Sequence, residues 1–148
     1  MEEEFHNHMR IPWHDYTRKS IGRPITEASL SEKASIIGRT GIMLLSCGTG
    51  AWRVRSSMNT LARELGITCT ADIGLLSIEY TCIDGGNCYT ESLCLFNTGV
   101  NTSKLYRMEL FVNKFSKNCK KMSGDELHTL LDQIHEIHGF YSPPFLGL

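Results

Sequence analysis

The sequence has no excess of charge of either sign and no long apolar run. Its 15 lysines and arginines nearly balance 16 aspartates and glutamates, so the formal net charge of the 148 residues is -1. Without a basic excess, no long-range field attracts nucleic acid or an anionic membrane. No stretch approaches the roughly 20 apolar residues that cross a bilayer. We therefore expect no nucleic-acid partner, and we expect the chain as given to be soluble.

The sequence also lacks a zinc or redox motif, although it contains six cysteines. No two of them have the CxxC spacing that such sites use. Three of them, Cys69, Cys82 and Cys94, lie in apolar or β-rich sequence, where a free cysteine packs as a small hydrophobic side chain. We expect free thiols in a reducing environment, with no disulfide framework, no metal and no cofactor.

The length of the chain suits one domain, and composition divides it into three parts. Residues 1–25 are charged and lack a sustained apolar period, which predicts a flexible N-terminal arm. Residues 26–140 carry regular apolar patterns and are predicted to form a soluble cytosolic domain. Residues 141–148 are apolar and contain two prolines, an ending that predicts a segment cut where something hydrophobic begins.

Four helices are predicted from apolar residues at helical spacing. The first follows Ser29 and Glu32, which have the spacing of a capping box, and it ends at Gly48, where a positive φ is cheap. The second begins at Thr49 or Gly50 and folds back on the first. The third and fourth follow polar capping residues, and their apolar faces run from Leu105 to Phe115 and from Leu127 to Ile137.

The segment between the helix pairs is rich in Thr, Ile, Tyr and Cys, which favour strands. Three strands are predicted near residues 67–71, 74–83 and 88–96, the last two joined by the hairpin turn Asp84-Gly85-Gly86-Asn87. The element order is αα-βββ-αα. Because the strands are contiguous, we predict an α+β domain with a small antiparallel sheet packed against helices.

Gly48-Thr49-Gly50 is the one Gly-rich break that could bind an anion. It is not a P-loop, because GxxxxGK[ST] is absent and the preceding segment reads as helix, whereas phosphate motifs follow a strand. The helix start could still offer amide groups to an anion, aided by Arg53 and Arg55. The alternative is a tight turn between two packed helices with two exposed arginines, and sequence alone favours it.

No catalytic set is recognisable. Cys47 would lie at a helix C-terminus, where the helix dipole disfavours a thiolate. His135 and His138 are one turn apart, with His128 seven residues earlier, but histidines flanking an apolar helix face are typical of surface positions. The carboxylates are scattered through hairpin positions or the N-terminal run. We predict no catalytic residue and no metal ligand, hence no enzyme.

Three segments in order resemble the threonine/serine exporter family. "GIMLLSCGTGAWRVRSSMNTLARELGI" is similar to its leucine-rich helix, glycine-containing break, "RVE"-like triplet and helix ending in "LG". "GVNTSKLYRMELFVNKF" resembles its "GIN or GVN" segment with a following helix, and "SGDELHTLLDQIHEI" resembles its closing helix. The resemblance covers roughly residues 30–148.

The resemblance implies a cytosolic domain that precedes a bundle of membrane-spanning helices, with residues 141–148 as the junction leading to that transmembrane region. It implies export of threonine, serine or a related small metabolite, and related two-component members move dicarboxylates such as succinate. The partners implied are the membrane-embedded remainder of the transporter, a small membrane subunit and further copies of the chain. On this basis the domain has a gating, regulatory or assembly role on the cytoplasmic side of the cell membrane. The alternative is a soluble small-molecule or anion-binding module, or a hydrolase, that uses the Gly48-Thr49-Gly50 helix start.

One position departs from the family pattern, because Arg55 stands where the "RVE"-like triplet has an acidic residue. Asn101 matches the "GxN" of the family, and it also suits an N-cap. The substrate-binding residues that the resemblance and the helix start together suggest are Thr49, Trp52, Arg53, Arg55 and Asn101.

Overall fold

The structure is a computed structural model that describes residues 11–137 of the chain. In that range it contains five α-helices and one three-stranded antiparallel sheet, which confirms the predicted α+β class and the order αα-βββ-αα, with one short helix added in front. The elements are α1 (Trp13–Tyr16), α2 (Leu30–Ser46), α3 (Ala51–Glu64), β1 (Thr68–Ile73), β2 (Ser77–Asp84), β3 (Asn87–Cys94), α4 (Thr102–Asn118) and α5 (Gly124–His135). Short 3-10 turns cover Arg18–Ser20 and Ile25–Glu27.

Both predicted capping boxes are present. The Ser29 amide donates to the Glu32 carboxylate at the start of α2, and the Ser123 amide donates to the Glu126 carboxylate at the start of α5. Each box supplies partners for amide groups that a helix start otherwise leaves unpaired. The helix starts were therefore predictable from local sequence.

The sheet has the strand order β1-β2-β3, with Asp84 paired to Asn87 across the hairpin. Gly85 has φ +62°, the left-handed conformation that the predicted turn requires. Ile78, Tyr80 and Cys82 point into the core, while Ser77 and Glu79 are exposed. One face of the sheet is thus buried against helices, as the period-two pattern predicted.

Helix α2 is the centre of the domain, and it contacts every other helix as well as β2 and β3. Gly38 lets it approach the sheet closely, because a Cβ at that position would lie 2.1 Å from the hydroxyl of Tyr80. That hydroxyl lies 2.9 Å from the Ala34 carbonyl oxygen and 2.9 Å from Glu91 Oε1. The glycine therefore allows a buried tyrosine to tie α2 to the sheet.

Helix α5 runs in the same direction as α2. His128 contacts Ser35, and Asp132 contacts Arg39, so each step of four residues along α5 matches a step of four along α2. The C-terminal end of α5 therefore lies at the same end of the domain as the turn after α2. We call this end, which carries Gly48 and the close of α5, the turn end.

Residues 11–25 differ from the predicted flexible arm. Trp13 is 4% exposed and Ile25 is fully buried, and both belong to the hydrophobic core. The Ile25 amide donates to the Met122 carbonyl at 2.9 Å, which fixes the segment beside the start of α5. Residues 1–10 of the predicted arm and the predicted junction 141–148 lie outside the described residues. None of the helices within 11–137 has both the length and the apolar character needed to cross a bilayer.

Candidate functional site

The Gly48-Thr49-Gly50 break is a tight turn between two antiparallel helices. Gly48 has φ +88°, its amide donates to the Leu45 carbonyl at 3.1 Å, and the Thr49 amide donates to the Leu44 carbonyl at 3.4 Å. This is the Schellman arrangement, in which a left-handed residue closes a helix by satisfying its last carbonyls. Gly50 then serves as the N-cap of α3.

The loop after β3 closes the other side of the turn. Thr98 Oγ1 donates to the Leu45 carbonyl at 3.0 Å, and the Gly99 amide donates to the Ser46 carbonyl at 3.4 Å. A Cβ on Gly48 would lie 3.4 Å from the Gly99 carbonyl oxygen. The end of α2 is thus fixed by contacts from a loop about 50 positions later in the chain.

An open cavity of about 450 Å³ lies at this turn. Its walls combine glycines, small polar residues and apolar side chains: Leu45, Gly48, Thr49, Gly50, Ala51, Ile73, Gly74, Leu75 and Thr98. Helix α3 begins at Ala51, and the first amides of a helix lack carbonyl partners within it. The cavity therefore combines apolar surface with a helix start, which favours an anionic group.

Thr49 is the one predicted site residue that lines this cavity. Its side chain is buried, with 9% of the residue exposed, and its hydroxyl has no hydrogen-bond partner among the described residues. Burying a hydroxyl without a partner costs about 1–3 kcal/mol. Less than 1 Å² of this oxygen is exposed, so a polar ligand would pair with it only after the Thr49 side chain turns toward the cavity.

The other four predicted site residues do not line the cavity. Arg53 pairs with Glu109 of α4, and the Arg55 Nε donates to the Ala71 carbonyl at 3.3 Å. Trp52 is 71% exposed on the surface of α3. The Asn101 side chain accepts from the Lys104 amide at 2.9 Å, so it acts as the N-cap of α4. The two arginines are thus engaged elsewhere and add no free positive charge to the cavity.

Large apolar side chains are exposed around the cavity. Leu75 lines it, Val100 contacts the Gly48 position, and Trp52 follows Ala51 of the cavity wall. Leu76 accepts from the Leu95 amide at 2.7 Å, which places Phe96 beside it. We call this set the apolar rim; its members are Trp52, Leu75, Leu76, Phe96 and Val100, exposed by 71%, 90%, 36%, 55% and 58%. Several large exposed apolar side chains near one cavity make this end of the domain a candidate interaction surface.

A buried polar network, which sequence reasoning missed, joins α1, α2 and α5. Arg39 is 5% exposed, and its guanidinium donates to the Asp132 carboxylate at 2.5 Å and to the His128 carbonyl at 3.2 Å. Trp13 stacks on the His128 ring and covers Arg39. The available signal was Arg39 itself, a charged residue within an otherwise apolar helix face.

The same network shows why Ser35 and His128 are not a nucleophile and its base. Arg39 Nη1 lies 3.2 Å from His128 Nδ1, and a guanidinium only donates, so Nδ1 accepts and Nε2 carries the hydrogen. Nε2 therefore donates to Ser35 Oγ at 2.9 Å, whereas a general base needs a lone pair facing the hydroxyl. Burial, followed by the positive charge of Arg39, lowers the pKa of His128 to about 3.

The remaining chemistry of the described residues is sparse. The cysteines in this range are free thiols, and burial raises the pKa of Cys47, which disfavours a reactive thiolate. Within 11–137, no group of three or more His, Cys, Asp or Glu side chains is placed to hold a metal ion. Of His135 and His138, the two histidines one helical turn apart in the sequence, His138 lies outside the described residues. The sequence predicted a surface position for His128, and this prediction is wrong, because His128 is fully buried.

Comparison with known families gives one result. A family model described as "Putative threonine/serine exporter" matches residues 35–148, which is most of the chain and includes the turn, the cavity and the apolar rim. Searches of curated proteins and of solved structures found no match.

Proposed function

The chain belongs to the threonine/serine exporter family, and on that premise we propose that residues 26–140 form the cytoplasmic domain of a membrane exporter, with a gating or assembly role. Translocation of threonine, serine or a related small metabolite would take place in membrane-spanning helices outside the given sequence. Coupling to the proton gradient is the mechanism typical of secondary transporters. Membership in a transporter family favours a non-enzymatic role.

The observation that carries this proposal is the position of the apolar rim. Leu75 and Val100 are among the most exposed large apolar side chains of the described residues, and they lie at the turn end. Helix α5 closes at this same end of the domain. A surface of this kind suits docking against the membrane-embedded remainder, a small membrane subunit or another copy of the chain.

An efflux assay tests the proposal. Cells lacking their own threonine export would express the full-length exporter, be loaded with threonine, and be assayed for threonine in the medium. We expect wild type to export and the double variant Leu75→Glu/Val100→Glu to lose most of the efflux, because charge at the apolar rim opposes docking. The matched control is Arg63→Glu, an exposed change at the opposite end of α3, which should export like wild type.

Two results would count against the proposal. One is wild-type efflux no greater than that of cells carrying an empty vector. The other is full efflux from the Leu75→Glu/Val100→Glu variant at equal expression. A thermal unfolding curve of the 148-residue chain with the same two changes tests whether the domain still folds. We expect it to fold, because both side chains are more than half exposed.

A second candidate function is binding of a small carboxylate in the cavity beside Thr49. It is favoured by the unpaired Thr49 hydroxyl next to the start of α3. A carboxylate there would accept from the hydroxyl and from the first amides of the helix, while a short apolar group would contact Leu45 and Leu75. This site would let the domain sense the exported metabolite.

Isothermal titration of the 148-residue chain tests this candidate with L-threonine, L-serine, succinate and inorganic phosphate as probes. We expect one of the carboxylates to bind, and Thr49→Val to weaken that binding, while Arg53→Ala leaves it unchanged because Arg53 does not line the cavity. Binding of phosphate alone, abolished by Arg53→Ala, would instead support an anion module centred on the arginines. If no probe gives a heat of binding, the Gly48-Thr49-Gly50 turn has a structural role only.

A further inference from the structure

His14 lies between two carboxylates of α5. Its Nδ1 is 2.6 Å from Asp125 Oδ1, and its Nε2 is 2.8 Å from Asp132 Oδ2. Both contacts join residues more than 100 positions apart in the chain, so they hold the N-terminal segment against the last described helix. We call residues 11–20, which carry α1 and the following 3-10 turn, the strap.

The two contacts fix the charge of the His14 ring. An ionised carboxylate can only accept hydrogen bonds, so both ring nitrogens must donate, and an imidazole with two N–H groups is a cation. Asp132 is ionised here, because the Arg39 guanidinium also donates to it, and its pKa is lowered despite burial. The geometry is therefore that of a protonated histidine in a charge-assisted double bridge.

The groups that face His14 from neighbouring elements support this reading. Burial alone would lower the pKa of His14, but the hydrogen bonds and charges of Asp132 and Asp125 outweigh it and raise the pKa above its ordinary value. His128, whose ring centre is 5.7 Å away, stays neutral. Within residues 11–137, the titratable or charged neighbours are Asp125, His128, Asp132 and His135 of α5, Arg39 of α2, and Asp15 and Arg18 of the strap itself.

Loss of the ring proton would change the bridge from attractive to repulsive. A neutral imidazole keeps one N–H, so one nitrogen lone pair would face a carboxylate oxygen at less than 3 Å. Trp13 and Tyr16 would still hold the strap, since Trp13 is buried and the Tyr16 hydroxyl donates to Glu91 Oε2 at 2.9 Å. The strap would therefore loosen at its middle rather than leave the domain.

We propose that the strap is a proton-dependent latch, closed on α5 while His14 is protonated and loosened when it is neutral. Beneath the strap lies a cavity of about 240 Å³, whose walls include Trp13, Arg39, Asp132 and His135. Loosening at His14 would open one wall of this cavity, while Trp13 keeps Arg39 covered. The latch would make the domain responsive to the pH of the solution around it.

Nuclear magnetic resonance of the 148-residue chain with ¹⁵N-labelled histidine tests the protonation state. We expect the titration midpoint of His14 to lie above that of an unfolded histidine peptide, with both ring nitrogens carrying hydrogen below the midpoint, and we expect the midpoint to fall in Asp125→Asn. Asp15→Asn is the matched control, because Asp15 is on the same short helix but pairs with Arg18. A His14 midpoint at or below that of the unfolded peptide would overturn the proposal.

Limited trypsin digestion tests the loosening itself. Arg18 and Lys19 are exposed sites in the strap, and their cleavage would be normalised at each pH to that of an unfolded peptide of the same sequence. We expect normalised cleavage to rise about fivefold from below to above the His14 midpoint, the change that losing one ordinary net hydrogen bond produces. In His14→Gln the normalised rate should not change with pH. A flat profile in wild type, or the same rise in His14→Gln, would overturn the latch.

Discussion

Replacing Thr49 with valine should stabilise the domain while weakening any carboxylate bound in the cavity. The Thr49 hydroxyl is buried and unpaired among the described residues. Valine has the same shape, removes the unpaired group and adds apolar contact. An unpaired buried hydroxyl costs about 1–3 kcal/mol, so we expect the free energy of unfolding to rise by about 1–2 kcal/mol. For a chain of this length that corresponds to roughly 3–6 °C in Tm.

Thr40 offers a matched control for this experiment. Its hydroxyl is also buried without a partner in the described part of the chain, but it lies within α2 and does not line the cavity. We expect Thr40→Val to give a similar gain in stability in urea unfolding and to leave carboxylate affinity unchanged. The reasoning is refuted if Thr49→Val destabilises the domain, because the hydroxyl must then have a partner. It is also refuted if both variants change affinity equally.

Three further predictions concern packing, charge and pH. Gly38→Ala should lower the free energy of unfolding by about 3 kcal/mol in urea, because the new Cβ would lie 2.1 Å from the Tyr80 hydroxyl. This clash outweighs the higher helix propensity of alanine. Gly41→Ala should cost less, since the nearest atoms to its Cβ belong to the flexible Met58 side chain. Glu109→Gln should change stability by less than about 1 kcal/mol, because its pair with Arg53 is about half exposed. Lowering the pH from 7 to 5 should remove about 2 kcal/mol through His128, and this part of the pH dependence should vanish in His128→Asn.

The sign of the His128 effect follows from its lowered pKa. The unfolded chain takes up a proton on this histidine near pH 6.5, whereas the folded chain resists protonation until about pH 3, so stability falls as the pH drops through that window. His14 acts in the opposite direction. Its folded pKa is raised, so its contribution is fully present below about pH 6.5 and is lost as the pH rises through the folded value. Comparing wild type with His128→Asn separates the two.

Local signals explain why the main elements were predictable. The capping boxes at Ser29 and Ser123 and the positive φ at Gly48 and Gly85 depend on residues a few positions apart. The alternation that buries Tyr80 is likewise local. Each of these features satisfies backbone groups or buries a face within one element, so sequence alone is informative.

The features that sequence missed depend on contacts between distant residues. Trp13 stands in a charged segment, and its packing on His128 places α1 in the core. His128 was interpreted as a surface residue because its partners, Ser35 and Arg39, lie about 90 positions earlier. Similarly, nothing near Arg53 indicated that Glu109, 56 positions later, would neutralise it. Polar pairs between distant residues produce no periodic pattern in the sequence, so they cannot be predicted from it.

Photo-crosslinking in the membrane tests the central claim most directly. A photoreactive amino acid would replace Leu75 of the apolar rim in the full-length exporter, and Arg63 at the opposite end of α3 would carry it in the control. We predict that irradiation of position 75 crosslinks the domain to the membrane-embedded part of the transporter or to a membrane subunit, and that position 63 does not. Equal crosslinking from both positions, or none from position 75, would contradict the assignment of the turn end as the membrane-facing side.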